Sequence, residues 1–157
     1  MKIPAKIKNF LLKQKIKHAV LEHKTVFTAY DLAQTLKRKL GEVAKTIVVK
    51  VDKGHALVVL PASHQVDFKL LKKLTGAKQV DIDKENMMAK LLKVKPGALS
   101  AFHGPLTKLP VYVDKAVMKV QKIVVQAGSF EQSVHLSSKD FLKAVQGKLA
   151  SFAKKRK

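Results

Sequence analysis

One lysine, Lys45, stands directly before an apolar run, Thr46–Val51, that is mostly β-branched. Such a run predicts a buried β-strand. Because side chains alternate along a strand, Lys45 shares its face with Ile47, Val49 and Val51. An ammonium group on an otherwise apolar face either extends from the strand end into water or directs a positive charge into a pocket. The pattern alone leaves both interpretations open.

Other residue combinations that could do chemistry give weaker signals. Ser129, His135 and Asp140 could form a nucleophilic triad, but the sequence has no GxSxG turn around the serine. The phrase Ala44–Thr46 lacks the glycines of a phosphate-binding loop. The six histidines show neither HExxH nor another close metal-ligand spacing. No metal site is therefore predicted.

The residues after Lys45 predict a β-hairpin that would position it. A second apolar run, Ala56–Leu60, follows across Asp52–His55, a connection short enough to join two antiparallel strands. Lys50 lies on the same strand as Lys45 but faces the other way, together with Thr46 and Val48. The strand therefore carries two lysines with opposite orientations.

Helices and strands alternate along the rest of the chain, with several short connections. One helix is predicted from Ala29 to about Leu40, and the last helix opens at Ser137 or Ser138 and runs through Leu149. This order favours a single α+β domain with a mixed, curved β-sheet over a purely parallel sheet.

The chain ends in a short basic segment. We assign residues 1–150 to the domain and residues 151–157 to a basic tail. A run of like charges at a terminus is typical of a solvated and mobile segment.

The charge balance indicates a polyanionic partner. The chain has 157 residues, with 32 basic and 11 acidic side chains, and a net charge of +21. Nucleic acid fits best, and the predominance of lysine favours contact with phosphates over base reading. The absence of cysteine excludes disulfides and thiolate nucleophiles. The apolar run Phe10–Leu12 is too short for a signal sequence or a membrane span, so we expect a cytoplasmic protein without a membrane partner.

Several segments resemble the YbaK/ProX family of aminoacyl-tRNA deacylases, in the family's order. They are Val20–His23, Ala44–Val51, Leu57–Pro61, Leu70–Lys78, Gly97–Phe102, Val111–Asp114 and Ala127–Ser129. The resemblance covers about Asn9 to Val145. One residue departs from the family pattern: Ala101 stands where many members end a loop with proline. A proline would fix the backbone of the loop and thereby help to select the amino acid of the substrate.

This resemblance implies an α+β fold with a barrel-like core surrounded by helices, and hydrolysis of the ester of a tRNA that carries a wrong, small amino acid. Alanine, serine and cysteine are the expected types, with tRNA-Pro as a candidate carrier. Lys45 is the implied catalytic residue. The implied substrate-binding residues are Thr46, Gly97, Ser100, Ala101, Asp114, Gly128, Ser129 and His135. The resemblance implies no metal or organic cofactor. It implies tRNA as the partner, with an aminoacyl-tRNA synthetase as a further candidate. We expect the protein to be a monomer.

Each of these residues also has a purely structural interpretation. Gly97 and Gly128 could serve only as turn glycines, Asp114 could end its strand, and His135 could be a half-buried residue at a sheet edge. The corresponding functional alternative is a non-catalytic tRNA or RNA-binding module with the same fold. A third alternative is a nucleic-acid scaffold that binds through its basic ends.

Overall fold

Strands and short helices alternate along the computed structural model, which describes residues 2–82 and 98–156. The strands are β1 (Ala19–Glu22), β2 (Ala44–Val51), β3 (Gly54–Pro61), β4 (His64–Val66), β5 (Val80–Ile82), β6 (Val111–Asp114), β7 (Lys122–Gln126), β8 (Gln132–Ser137), β9 (Lys148–Ala150) and β10 (Ala153–Lys155). The α-helices are α1 (Ala5–Lys13), α2 (Ala29–Thr35), α3 (Phe68–Thr75), α4 (His103–Thr107) and α5 (Ser138–Ala144), and 3-10 turns cover Leu40–Glu42 and Lys115–Lys119.

The predicted hairpin is confirmed and lies at the centre of the fold. β2 pairs with β3 along its whole length, in an antiparallel register that places Lys45 opposite Leu60. The turn between them contains Asp52, whose φ is 53°. The Asp52 carboxylate accepts the backbone N–H groups of Lys78 and Gln79, each at 3.0 Å. This turn therefore also holds the segment that leads into β5.

The hairpin belongs to a five-stranded mixed sheet, in the order β5-β2-β3-β6-β9. β2 pairs antiparallel with both β5 and β3, whereas β6 pairs parallel with both β3 and β9. The predicted α+β class, single domain and mixed sheet are confirmed.

A second sheet lies beside the start of β2. It is antiparallel, in the order β1-β8-β7, and a parallel bridge between Val43 and Val124 connects it to the first sheet. The two sheets do not close on themselves in the described part of the chain. The description of the core as barrel-like therefore holds only loosely.

One face of the five-stranded sheet packs on the first and last helices. Val48 of β2 belongs to a cluster that also contains Ile7 of α1 and Phe141 of α5, both fully buried. The pattern of buried residues therefore matches the strand alternation predicted for the face opposite Lys45.

The other face of the sheet, on which strand alternation places Lys45, packs on α3 and on the C-terminal segment. Val49 belongs to a cluster with Leu71 of α3 and with Phe152, and Ile47 packs against it. Lys45 lies at the end of this apolar face, where β2 begins.

Two helices are shorter than predicted. α2 stops short of Leu40 because Lys37 adopts a φ of 55°. α5 stops short of Leu149 because Gln146 adopts a φ of 53°, and the chain continues into β9. An L-residue in the left-handed conformation cannot continue a right-handed helix, so each of these residues marks a stop.

The basic run Lys154–Lys157 was predicted to be mobile, and this prediction is wrong for its described residues, 154–156, which continue a segment that is paired in the fold. β10 pairs antiparallel with β4, with Lys155 opposite His64, and Phe152 is fully buried. The side chains of residues 154–156 are exposed, as expected for a basic tail. The sequence after Ser151 contains a large aromatic residue whose burial stabilises the segment against the sheet.

No helix in the described residues combines the length and apolarity needed to cross a lipid bilayer.

Candidate active site

Lys45 is a half-buried cation at a strand end that is open on one side. β3 pairs with it, whereas β5 reaches only residues 49–51 of β2 and the bridge to β7 lies at Val43. Among the described residues, positions 45–48 therefore have a strand neighbour on one side only. Burial lowers the pKa of the Lys45 ammonium below the ordinary lysine value. Thr46, next along the strand, is also half-buried.

The Lys45 ammonium lies over an aromatic ring. Its Nζ is 5.5 Å from the centre of the Tyr30 ring, which is within the range of a cation–π contact. Tyr30 lies in the first turn of α2, whose start is fixed by Thr28: the Thr28 Oγ1 accepts the backbone N–H of Asp31 at 3.1 Å. The helix cap thus positions the ring above the start of β2.

A second cation contacts the same ring. The Cζ of Arg156 is 5.2 Å from the Tyr30 ring centre. The backbone N–H of Arg156 donates to the carbonyl of Ser63 at 3.0 Å, which continues the pairing of β10 with β4. The C-terminal segment therefore brings an arginine to the ring that Lys45 contacts.

His64 lies close enough to this group to experience its charges. Its Nδ1 is 2.8 Å from the Ser63 hydroxyl oxygen. Burial lowers the pKa of His64 most, and the positive charges of Lys119, Lys155 and Lys45 lower it further, while Asp114 opposes them. His64 is therefore favoured in its neutral form near a cluster of cations.

Asp114 is a buried carboxylate that holds backbone N–H groups. Its Oδ1 accepts from Phe152 at 2.8 Å and from Ala153 at 2.9 Å, and its Oδ2 accepts from Ala116 at 2.9 Å. Asp114 is only 4% exposed. These contacts give it a structural role, namely the attachment of the C-terminal segment and of the 3-10 turn after β6.

Ser100 and Ala101 lie in a buried turn before α4. The Ser100 Oγ accepts the backbone N–H of Phe102 at 3.2 Å, and the Ser100 N–H donates to Nδ1 of His103 at 3.1 Å. Burial lowers the pKa of His103. Ala101 belongs to the main core cluster with Phe102. Gly97, which precedes this turn, lies outside the described residues.

Gly128 and Ser129 form a turn against the start of α1. Gly128 has a φ of 80°, and a Cβ at this position would lie 3.0 Å from Pro4 and 3.2 Å from Ile7. The buried Ser129 Oγ accepts the N–H of Gln132 at 3.0 Å. Both residues therefore have a local structural role in the start of β8.

His135 lies in the middle of the three-stranded sheet, opposite Ala19 and Val124. It lines a cavity of about 320 Å³ together with Lys17, Lys122 and other residues. Burial lowers the pKa of His135, and the charges of Arg38 and Lys122 add to this effect, while Glu42 opposes it. This cavity is separate from the group around Tyr30.

A larger cavity, of about 560 Å³, lies between α1 and β1 and includes Lys2, Lys8, His18 and Gln132 in its lining. Lys45 does not line it. Within residues 2–82 and 98–156, no group of three or more histidine, cysteine or acidic side chains could hold a metal ion.

The sequence and the fold, with β2 and its Lys45 at the centre, resemble those of known proteins. A family model for the aminoacyl-tRNA editing domain matches residues 23–144. This chain belongs to that family.

Curated relatives of this editing domain are longer proteins. The proline–tRNA ligase of Staphylococcus saprophyticus is 30% identical over 118 residues, which cover 74% of the chain but 20% of the ligase. The proline–tRNA ligase of Staphylococcus aureus strain Newman is 29% identical over the same length, again over 20% of that protein. The chain thus spans about one fifth of these relatives.

Solved structures support the fold of the editing domain. The crystal structure of hypothetical protein APE2540 superposes with a TM-score of 0.87 at 18% identity, over 95% of this chain and 99% of that chain. A candidate trans-editing enzyme for prolyl-tRNA synthetase superposes with a TM-score of 0.80 at 17% identity, over 98% and 99% of the two chains. At such identities the likeness concerns the fold alone.

Three residues of this site in the editing domain were not predicted from the sequence. Tyr30 was assigned only to a helix start, Arg156 to a mobile tail, and His64 to a group of unrelated histidines. The sequence does contain one signal that the C-terminal segment is held in the fold, namely Phe152. A large aromatic residue within a basic tail indicates that the segment is partly buried.

Proposed function

We propose that this editing domain is a trans-acting aminoacyl-tRNA deacylase with Lys45 as its catalytic residue. One observation carries the proposal: the half-buried Lys45 ammonium stands at the open end of the central strand, over the Tyr30 ring. A lysine that served only to reach water would lie exposed, as Lys50 does on the opposite face of the same strand.

Hydrolysis of an aminoacyl ester requires few catalytic groups from the protein. Water adds to the carbonyl carbon of the aminoacyl ester, the bond to the ribose oxygen breaks, and the products are the free amino acid and a tRNA with a free terminal hydroxyl. An aminoacyl ester is already activated, so a site that positions the ester, orders one water and stabilises the developing oxyanion is sufficient. Lys45 supplies the positive charge in this scheme.

The remaining predicted residues shape the substrate site in this proposal. Thr46 lies beside Lys45 on the open strand end, and backbone amides near Gly97 and Gly128 act as neutral donors to the ester. The turn with Ser100 and Ala101 limits the size of the amino acid side chain. Ser129 and Asp114 support these segments, and His135 borders the approach of the tRNA.

The expected substrate is a tRNA charged with a small, wrong amino acid of the alanine, serine or cysteine type. Small side chains differ too little in binding energy to be separated in a single selection step, which is the physical reason for editing. The similarity to proline–tRNA ligases favours tRNA-Pro as the carrier. The chain would then act as a monomer on tRNA in the cytoplasm, with a synthetase as a further candidate partner.

A second candidate function is a non-catalytic tRNA-binding module with the same fold. The net charge of +21 favours it, because a lysine surplus gives affinity for phosphates without any catalytic group. Both candidates require tRNA binding, but only the deacylase requires an effect of the protein on the ester.

A panel of tRNAs charged with alanine, serine, cysteine or proline tests the two candidates. We expect the protein in excess to release at least one small non-cognate amino acid faster than the spontaneous rate, and to leave the prolyl ester intact. Binding of all tRNAs with spontaneous rates throughout the panel would favour the non-catalytic module.

A further inference from the structure

Two cations share one tyrosine ring at the candidate site. Lys45 Nζ and Arg156 Cζ lie 5.5 Å and 5.2 Å from the centre of the Tyr30 ring. Among the described residues, no carboxylate forms an ion pair with either of them. Each of these positive charges lies beside the Tyr30 ring, and an anion that binds next to either of them lowers the electrostatic energy of the site.

The charges around this pair are also mostly positive. His64 experiences the charges of Lys45, Lys119 and Lys155, and only Asp114 acts in the opposite sense. Both oxygens of Asp114 already accept backbone N–H groups. The charges of the described residues around His64 therefore favour a bound anion.

The position of Arg156 is fixed by the fold. Phe152 is fully buried, Asp114 accepts its N–H at 2.8 Å, and β10 pairs with β4 up to Lys155. Arg156 follows this strand at once, and its own N–H donates to the Ser63 carbonyl at 3.0 Å. An arginine held by its backbone loses less entropy on binding a ligand than one on a mobile tail.

We propose that Arg156 is a further substrate-binding residue, which contacts a phosphodiester of the unpaired 3′-terminal nucleotides of the tRNA while Tyr30 holds its guanidinium. This inference rests on the proposed function, since it names the part of that substrate which the C-terminal segment binds. A guanidinium matches two phosphate oxygens with two parallel N–H groups, and Tyr30 restricts its orientation.

Exposed aromatic residues in and just before α2, of which Tyr30 contacts both cations, point to RNA rather than to free phosphate. Tyr30 is 36% exposed and Phe27, three residues before it, is 59% exposed. Phe27 is supported by Phe130, with ring centres 4.9 Å apart. Aromatic rings beside basic groups are typical of sites for single-stranded nucleic acid, where bases stack on the rings and cations contact the backbone.

The test measures binding of the single-stranded RNA trinucleotide cytidine–cytidine–adenosine. The chain has two tyrosines and no tryptophan, so in a Tyr112→Phe background the tyrosine fluorescence reports on Tyr30. We compare Arg156→Gln with Lys154→Gln, which removes an equal charge from an exposed residue of β10, the strand that precedes Arg156. We expect Arg156→Gln to weaken trinucleotide binding about tenfold or more, the typical loss of a charged hydrogen-bonded contact, and Lys154→Gln to weaken it less than about threefold.

Arg156→Lys and inorganic phosphate complete the test. The lysine variant keeps the charge but loses the paired N–H groups, so we expect affinity between those of the wild type and Arg156→Gln. Inorganic phosphate at the same concentration should not reproduce the fluorescence change. Equal losses for Arg156→Gln and Lys154→Gln, or equal responses to phosphate and trinucleotide, would overturn the inference.

The binding measurement is independent of ester hydrolysis. If the wild type deacylates no ester but Arg156→Gln still selectively loses trinucleotide binding, the proposed reaction fails and the RNA-binding role of Arg156 stands. If deacylation is found and the two variants bind alike, the reaction stands and the role of Arg156 is withdrawn.

Discussion

The carboxylate of Asp114, at the end of β6, accepts the backbone N–H of Phe152 at 2.8 Å, across 38 positions of the sequence. The same oxygen accepts the N–H of Ala153, and the other oxygen accepts that of Ala116. A single buried side chain therefore joins the central sheet to the segment that carries Arg156. The stability of the fold and the geometry of the candidate site are coupled through this residue.

Asp114→Asn should destabilise the protein and release the C-terminal segment. An amide offers one acceptor oxygen instead of two and carries no charge, so at least one of the three buried N–H groups loses its partner. We expect the free energy of unfolding in urea to fall by about 3 kcal/mol. Hydrogen exchange of the amides of Ala153 and Arg156 should accelerate more than that of β2. Asp67→Asn, at the partly exposed N-terminal cap of α3, is the control and should cost about 1 kcal/mol. Unchanged protection of β10 in Asp114→Asn would contradict this role.

Gly128→Ala should cost more stability than Gly76→Ala. Both glycines have positive φ values, 80° and 70°, so alanine is strained at each. At Gly76 a Cβ would meet no atom within 4 Å, whereas at Gly128 it would lie 3.0 Å from Pro4. We expect losses of about 1 kcal/mol at Gly76 and about 3 kcal/mol at Gly128, measured by chemical denaturation. Equal losses would show that the start of α1 moves aside freely.

The protein should lose stability as the pH falls below neutrality. Burial lowers the pKa values of His64, His103 and His135 in the folded state. Histidines of the unfolded chain have pKa values of about 6.5, so at a pH near this value the unfolded chain binds more protons than the folded one. The free energy of unfolding therefore decreases as the pH drops through that value, and the loss ends below the folded pKa values.

His103→Gln tests the contribution of His103, which is the most buried of the three histidines. Unfolding in urea at pH 7.5 and pH 6.0 should show a smaller pH-dependent loss in this variant than in the wild type. An identical pH dependence in both proteins would mean that His103 titrates alike in the folded and unfolded states.

The central hairpin was predictable from the sequence because its signals are local. The β-branched run after Lys45 and the short connection at Asp52 require no knowledge of distant residues. The prediction that Lys45 and Lys50 face opposite ways follows from the strand period alone, and the different exposures of the two side chains agree with it.

The residues that contact the Tyr30 ring were not predictable in the same way. Arg156 reaches the ring only because Asp114 and β4 hold the C-terminal segment, and these contacts join parts of the chain that are distant in sequence. Helix ends were also missed, since Lys37 and Gln146 adopt left-handed conformations that favour glycine and asparagine. Tertiary packing overrides local propensity at such positions.

Lys45→Ala, compared with Lys50→Ala, tests the account most directly. Both changes remove one positive charge from β2, but Lys45 lies half-buried over Tyr30 and Lys50 lies exposed on the opposite face. We measure single-turnover deacylation of the best mischarged tRNA, with tRNA affinity and urea denaturation as controls. Lys45→Ala should reduce deacylation by about a hundredfold or more, the typical loss of a positioned electrostatic group, while tRNA affinity and folding remain close to those of the wild type. Lys50→Ala should retain nearly full activity. Equal rates for the two variants would contradict the catalytic role of Lys45.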